Sequence, residues 1–269
     1  MEFTGERYCP QIRGEIALEH YLRYVLAASL AGGKDVLDMA SGEGYGSFLL
    51  AGRARSVVGV DVSREAVDNA AATYATPNLR YLAGDAAAIP LPDASVDMVV
   101  SFETIEHHDR QEEMMAEIRR VLRPGGLLML SSPERAVNED ACGRNPYHVR
   151  ELYRHELEAL IRRYFPHCAF WGQRTVFAAV LAGEDAAGSA ALRTWPVGAR
   201  MDSDAAVQGL DAPKFHIVLA SDAAALPSLP LALMEGDVRE SEAFALAAAE
   251  AAGEREALER QIRDMREAH

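Results

Sequence analysis

The chain has 269 residues, 49% of them hydrophobic and 25% charged, which is ordinary for a folded domain with a sizeable core and excludes a fibrous or disordered polypeptide. With 41 acidic against 27 basic residues the formal net charge is -14, which argues against nucleic acid as a partner, because non-specific binding relies on lysine and arginine neutralising phosphates. The three cysteines, Cys9, Cys142 and Cys168, form no metal or redox motif and read as reduced thiols; no apolar run approaches the roughly 18 residues of a membrane span, and Met1 to Arg7 is polar, so a cytoplasmic protein without direct membrane insertion is expected. One local basic group, Arg119, Arg120 and Arg123, stands against the acidic background.

Residues 14–31 place Ile16, Ala17, Tyr21, Tyr24, Val25 and Ala28 at spacings of about three and four, predicting an amphipathic helix that Gly32-Gly33 ends. The run Val36-Leu37-Asp38-Met39 predicts a buried parallel strand. It is followed by Ala40-Ser41-Gly42-Glu43-Gly44-Tyr45-Gly46, a tight turn into a helix with side chains removed where a ligand approaches the backbone. The glycines run G-x-G-x-G, not the dinucleotide G-x-G-x-x-G, and Asp38 just before them would repel a pyrophosphate while suiting a cofactor with a cationic amino or sulfonium group.

Ser56–Asp61 predicts a second strand whose terminal acid can accept hydrogen bonds from ribose hydroxyls, and Ser63 reads as the N-cap of the next helix. A third strand, Leu79–Ala86, ends in Gly84-Asp85-Ala86, where Asp85 suits an adenine amino group and Ala86 offers a backbone N–H. After the Pro90-Leu91-Pro92 loop come a buried strand from Val96 to Phe102, a helix from Gln111 to Leu122, a turn at Pro124-Gly125-Gly126 and a fifth strand from Leu127 to Leu130. This alternation implies an α/β fold: a parallel sheet covered on both faces, with the ligand cleft at the C-terminal ends of the strands. Phe165–Gly172 and Lys214–Ser221 are strand-like and would complete the sheet; an Ala/Gly/Asp-rich insertion, residues 181–212, separates them.

From Ser241 the sequence becomes alanine- and charge-rich. Phe244, Ala248, Ala251, Leu258, Ile262 and Met265 fall on heptad a and d positions, interrupted by Arg255, and the pattern runs uncapped to His269. The segment reads as a helix that either begins a coiled coil, making a homo-oligomer, or packs back on the domain. Residues 1–235 are therefore expected to form one domain and 236–269 a C-terminal helix.

Taken in order, Asp38 with Gly42-x-Gly44, Asp61, Gly84-Asp85-Ala86, the run Ser95 to His107 and Arg120 to Gly126 resemble the class I S-adenosylmethionine-dependent methyltransferases, especially the small-molecule, type 11 branch, over roughly residues 14–180. The resemblance implies a Rossmann-like, doubly wound, mostly parallel seven-stranded sheet with an antiparallel hairpin, and S-adenosylmethionine as cofactor. It implies Asp38 and Gly42 beside the methionine part, Asp61 on the ribose, and Asp85 with Ala86 lining the adenine. Ala40, Ser41, Gly44, Val62 and Phe102 complete the cofactor's surroundings. Ala40 departs from the glycine that many members carry there.

Methyl transfer to a hydroxyl requires loss of a proton, and Glu103, Glu106, His107 and His108 cluster after the fourth strand. On a helical turn Glu103, Glu106 and His107 would share a face, making His107 the preferred base with Glu106 and Glu103 beside it. Two other readings are open: a divalent metal held by Glu103, Glu106 and His107, or histidines that merely cap the next helix. Asn145, Tyr147 and His148, with His108, are expected on the acceptor side, although His148 and Glu151 also suit helix-start interactions. Glu6-Arg7-Tyr8 and Glu19-His20-Tyr21 are candidates to close over the cofactor, with Arg7 pairing with its carboxylate.

The Thr4-to-Tyr8 start, the Glu103-to-His108 motif and the heptad tail look like methyltransferase domains of bacterial surface-polysaccharide assembly. The implied activity is O-methylation of a sugar or O-antigen-like polysaccharide intermediate, with a small-molecule or glycan acceptor. A methyltransferase for a quinone or small aromatic metabolite and an inactive cofactor-binding scaffold are the alternatives.

Overall fold

The computed structural model describes residues 14–137, 145–176, 193–194, 207–208, 210, 212–234 and 236. The Thr4–Tyr8 motif, the heptad pattern from Ser241 and most of the 181–212 insertion lie outside them. The elements run α1 (Glu15–Leu30), β1 (Asp35–Met39), α2 (Tyr45–Ala51), β2 (Ser56–Asp61), α3 (Arg64–Thr73), β3 (Leu79–Ala83), β4 (Val96–Ser101), a 3₁₀ turn at Ile105–His107, α4 (Gln111–Val121), β5 (Leu122–Pro133), α5 (Arg154–Arg162), β6 (His167–Gln173), a short ribbon of β7 (Arg193–Thr194) and β8 (Val207–Gln208), and β9 (Phe215–Ser221).

The main sheet has seven strands in the order β3-β2-β1-β4-β5-β9-β6. The first five are mutually parallel, and β9 inserts antiparallel between β5 and β6. The order reverses at β1, whose two neighbours are β2 and β4, so the crevice at the C-terminal ends of β1 and β4 is the expected ligand position.

Period-two alternation explains how one strand serves two cores. Leu37, Val99 and Leu128 face a cluster under α4 and α5 with Ile118, Ile161 and Phe165, while Val36, Met98 and Met129 face α1 and α2 with Tyr24, Ala27 and Leu50. Each fully buried aliphatic or aromatic side chain contributes roughly 1.5–3 kcal/mol, which is why the continuous apolar runs become central strands. Ser63 caps α3 as expected, its hydroxyl accepting from the Ala66 N–H at 3.3 Å.

Three boundaries differ from the sequence reading. β3 ends at Ala83, so Gly84-Asp85-Ala86 belongs to the following turn. β5 starts at Leu122, runs through the expected Pro124-Gly125-Gly126 turn and continues to Pro133. Its register jumps from Val96↔Leu122 to Met98↔Leu127, so the turn survives as a bulge, with Gly125 at φ 76°. The arginine group forms no free basic surface. Arg119 pairs with Asp222 at 2.7 Å, Arg120 with Asp93 and Glu117 at 2.7 Å each, and Arg123 with Asp97 at 2.7 Å and Asp35 at 3.0 Å.

Candidate active site at the ends of β1 and β4

The turn after β1 is built from strained and tightly fitted backbone. Gly44 adopts φ 85°, and a Cβ there would lie 2.6 Å from Ala70 Cβ; a Cβ on Gly46 would lie 2.1 Å from the Tyr24 ring. A Cβ on Gly42 would meet no atom within 4 Å. Ala40 adopts φ 59°, the left-handed conformation for which the glycine of similar proteins is suited. Ser41 donates its N–H to Val60 O at 3.0 Å, and its buried hydroxyl has no hydrogen-bond partner.

The strand-end acids take different positions from one another. Asp38 is 0% exposed, with Oδ1 accepting from the Tyr24 hydroxyl at 3.1 Å and Oδ2 from Ser47 Oγ at 2.6 Å. Burial pushes its pKa up to about 7 against the pull of those two hydroxyls. Asp38 therefore braces α1 and α2 against β1 at the start of the glycine turn. Asp61 ties the turn to α3: Gly42 N–H donates to Oδ2 at 2.9 Å and Ser63 N–H to Oδ1 at 2.8 Å. Val62 beside it is 73% exposed, an apolar side chain at the rim.

Asp85 pairs with Arg110, accepts from the Ala87 N–H at 2.8 Å and has His108 Nε2 at 3.8 Å. Burial acts to raise its pKa, but the Ala87 N–H and the Arg110 guanidinium outweigh it and the carboxyl lies below its ordinary value. The Ala86 side chain is buried in the core, so only its backbone can face a ligand. Phe102 is also buried, edge-on to Tyr24 at 5.0 Å between ring centres.

After β4 the expected common face of Glu103, Glu106 and His107 does not form. Glu103 has φ 49°, and this left-handed residue breaks any helical continuity before the 3₁₀ turn. Its carboxylate accepts from Ser131 Oγ at 2.6 Å and lies 3.2 Å from Arg23 Nη1. Glu106 points elsewhere: it is 0% exposed, neither carboxylate oxygen has a hydrogen-bond partner, and burial, followed by the nearby Glu103 charge, raises its pKa well above the ordinary value.

His107 Nδ1 lies 2.9 Å from Tyr147 O; a carbonyl only accepts, so Nδ1 carries the proton and Nε2 the lone pair. His148 stands perpendicular to His107 with ring centres 4.9 Å apart. Two N–H donors, Val149 at 2.8 Å and Arg150 at 3.0 Å, bond the Glu106 carbonyl, and Gln111 Nε2 bridges Ile105 O and Arg150 O at 2.9 Å each, so the segment around His148 is pinned to the 3₁₀ turn. Asn145 Oδ1 accepts from the Tyr147 N–H at 3.0 Å, and its Nδ2 lies 3.0 Å from His148 Nε2. The helix-start contact also forms, His148 Nδ1 with Glu151.

Residues 37–130, from β1 into β5, match the methyltransferase domain family. Over these residues the chain carries a methyltransferase domain. A protein of Mycolicibacterium smegmatis named "Probable S-adenosylmethionine-dependent methyltransferase" is 41% identical over 165 residues, 60% of this chain and 63% of that protein. An arsenite methyltransferase of Aquipseudomonas alcaligenes is 34% identical over 134 residues, 45% of this chain and 39% of that protein. The chain thus spans less than two thirds of the length of these relatives. The PH0226 protein of Pyrococcus horikoshii shares the fold, with a TM-score of 0.54 at 19% identity over 82% of this chain and 99% of that one.

In the methyltransferase domain Arg23 was not legible as a site residue. It lies on α1, 1% exposed, its Nε donating to Gln173 Oε1 at 2.7 Å and its guanidinium 4.3 Å from the Phe215 ring centre. Neither Nη1 nor Nη2 makes a hydrogen bond, although Glu103 lies near Nη1. A buried guanidinium with unfilled donors suits a carboxylate ligand. The one available signal was a charged residue beside Tyr24 on a helix that buries that face. Glu19 and His20, expected to close over the cofactor, instead anchor α1, Glu19 to Lys214 at 2.9 Å and His20 Nδ1 to the Tyr45 hydroxyl at 3.0 Å. Arg7, the other candidate for the carboxylate, lies outside the described residues.

Proposed function

We propose that the chain methylates a hydroxyl oxygen of a sugar or surface-polysaccharide intermediate. The observation that carries the oxygen-directed reading is the His107 tautomer: with Nδ1–H held by the Tyr147 carbonyl at 2.9 Å, Nε2 carries the ring's lone pair on the 3₁₀ turn after β4, grouped with Glu106 and His148. In this reading Gly42, Asp61 and Val62 hold the nucleoside side of the cofactor, Asp85 and the Ala86 backbone meet the adenine, and Arg23 takes the carboxylate. S-Adenosylmethionine supplies an electrophilic methyl on a sulfonium. The protein aligns the acceptor oxygen in line with it and draws off the hydroxyl proton at the cluster of Glu106, His107 and His148.

The sugar reading is supported by the Glu103-to-His108 motif and by its resemblance to polysaccharide-assembly domains. Residues 1–235 form the catalytic domain in this proposal, and 236–269 a helix that pairs copies of the chain. Calorimetry with S-adenosylmethionine tests the cofactor, and mass spectrometry of candidate acceptors tests the transfer. Sugar acceptors gaining one methyl support the proposal. Gain only by quinones or other small aromatic acceptors replaces the acceptor class, and absence of cofactor binding leaves a scaffold without activity. An unchanged sedimentation mass on removing residues 241–269 would rule out the pairing helix.

A further inference from the structure

We propose that Glu106, His107 and His148 form a binding site for a divalent first-row transition ion such as Zn²⁺, Mn²⁺ or Co²⁺. The role given to the ion below rests on the hydroxyl-methylating reading above, but the site itself does not. One donor atom from each of these residues lies within 4.8 Å of the others. Two imidazoles and a carboxylate are a donor set that suits such ions, with metal–ligand bonds of about 2.0–2.2 Å that small side-chain rotations can reach.

The surroundings have the form of a built site. Metal-binding histidines usually give their second ring N–H to a carbonyl or carboxylate, which sets the tautomer and aims the other nitrogen. Both histidines do this, His107 through Nδ1 to the Tyr147 carbonyl at 2.9 Å and His148 through Nδ1 to the Glu151 carboxylate. Asn145 confirms the second tautomer: Oδ1 is committed to the Tyr147 N–H, so Nδ2 donates to His148 Nε2 at 3.0 Å and that nitrogen carries a lone pair. An arriving ion takes the place of this N–H. Independently, the Glu106 carboxyl is fully buried with both oxygens unpartnered, a costly arrangement that a cation would satisfy.

The set differs from the one read in the sequence, because Glu103 is engaged by Ser131 and Arg23 and His148 takes its place. With three protein ligands, further coordination positions are open to an acceptor hydroxyl. Bound there, the hydroxyl becomes more acidic and releases its proton to water. The resulting oxygen forms its bond to the methyl carbon as the carbon–sulfur bond breaks, and the electron pair of that bond leaves a neutral thioether. With the ion bound, the His107 Nε2 lone pair holds the metal, and the cluster draws off the hydroxyl proton through the ion rather than by accepting it directly.

The test is titration of untagged full-length protein, stripped with chelator, with ZnCl₂, MnCl₂ or CoCl₂ alone. One equivalent should bind to at least one of them. Glu106→Gln and His148→Asn should each weaken it by at least tenfold, and Glu151→Gln by roughly 10–100-fold. Glu103→Gln should change it less than threefold. Because Glu106 is buried, circular dichroism of each variant is compared first, and the half-buried His148 supplies the decisive variant if Glu106→Gln unfolds. No stoichiometric binding of any of the three ions, or binding unaffected by His148→Asn, overturns the site. Metal binding without methyl transfer keeps the site and sinks the hydroxyl reading, whereas full transfer activity in chelator sinks the metal's role and keeps that reading.

Discussion

Tyr24 on α1 donates its hydroxyl to Asp38 on β1 at 3.1 Å in the protein interior, and the same ring packs over Gly46 and edge-on to Phe102. This one contact joins the helix that carries Arg23 to the strand that opens the glycine turn. Burial, working against the Tyr24 and Ser47 hydroxyls, makes Asp38 an acid whose proton is bound more tightly in the folded chain than in the unfolded one.

The pH dependence of stability follows with a definite sign. Asp38 titrates near pH 7 when folded and near the ordinary aspartate value, about 4, when unfolded. Between those values the folded state holds a proton that the unfolded state has lost, so this group favours folding at the acid end, and its contribution declines as pH rises towards 7. Each tenfold in proton affinity is about 1.4 kcal/mol, so the full effect is on the order of 4 kcal/mol. Urea unfolding from pH 4.5 to 7.5 should show Asp38→Asn losing less stability with rising pH than the parent. Identical slopes would show that Asp38 ionises normally.

Ala40→Gly should stabilise the protein. The left-handed φ of 59° costs an L-residue about 1–2 kcal/mol, while the glycine adds about 0.4–1 kcal/mol of unfolded-state freedom. The net gain is of order 0.5–1 kcal/mol, read as a higher urea midpoint at unchanged m-value. A lower midpoint would mean that the Ala40 methyl makes packing contacts worth more than the strain.

Gly46→Ala should do the opposite. The new Cβ would lie 2.1 Å from the Tyr24 ring, and moving that ring breaks the Asp38 contact. A loss of about 2–4 kcal/mol is expected from overpacking plus the orphaned acid. The double variant Gly46→Ala with Tyr24→Leu should recover part of it; strictly additive losses would count against this coupling.

Arg23→Lys keeps the positive charge near Glu103 but removes the fork. Affinity for S-adenosylmethionine should fall about tenfold, equivalent to about 1.4 kcal/mol, while affinity for 5′-methylthioadenosine, which lacks the amino-acid part, stays the same. Equal loss for both ligands in calorimetry would reassign Arg23 to a purely structural role.

The sheet was legible because its signals are local. Apolar runs, the Ser63 cap, the Gly42-to-Gly46 turn and an acid at each strand end all depend on neighbours a few residues away. Glu106 and His107 stand out in the sequence for the same reason, as titratable side chains following a strand, and the structure groups them with His148. The sequence by itself determined the strands, the turn and the choice of a methyltransferase domain. Tertiary structure decided what the side chains touch. Asp38 went inward because Tyr24 and Ser47 offer it donors, and Glu103 turned towards Ser131 and Arg23 through its left-handed backbone. Arg23 kept unfilled donors in the interior, and His148 joined His107 because the Glu106 carbonyl and Gln111 pin its segment down. Those contacts join residues well apart in sequence, from Asp38 and Ser47 to Arg23 and Glu103, where no local periodicity carries information and only the packed fold brings donor to acceptor.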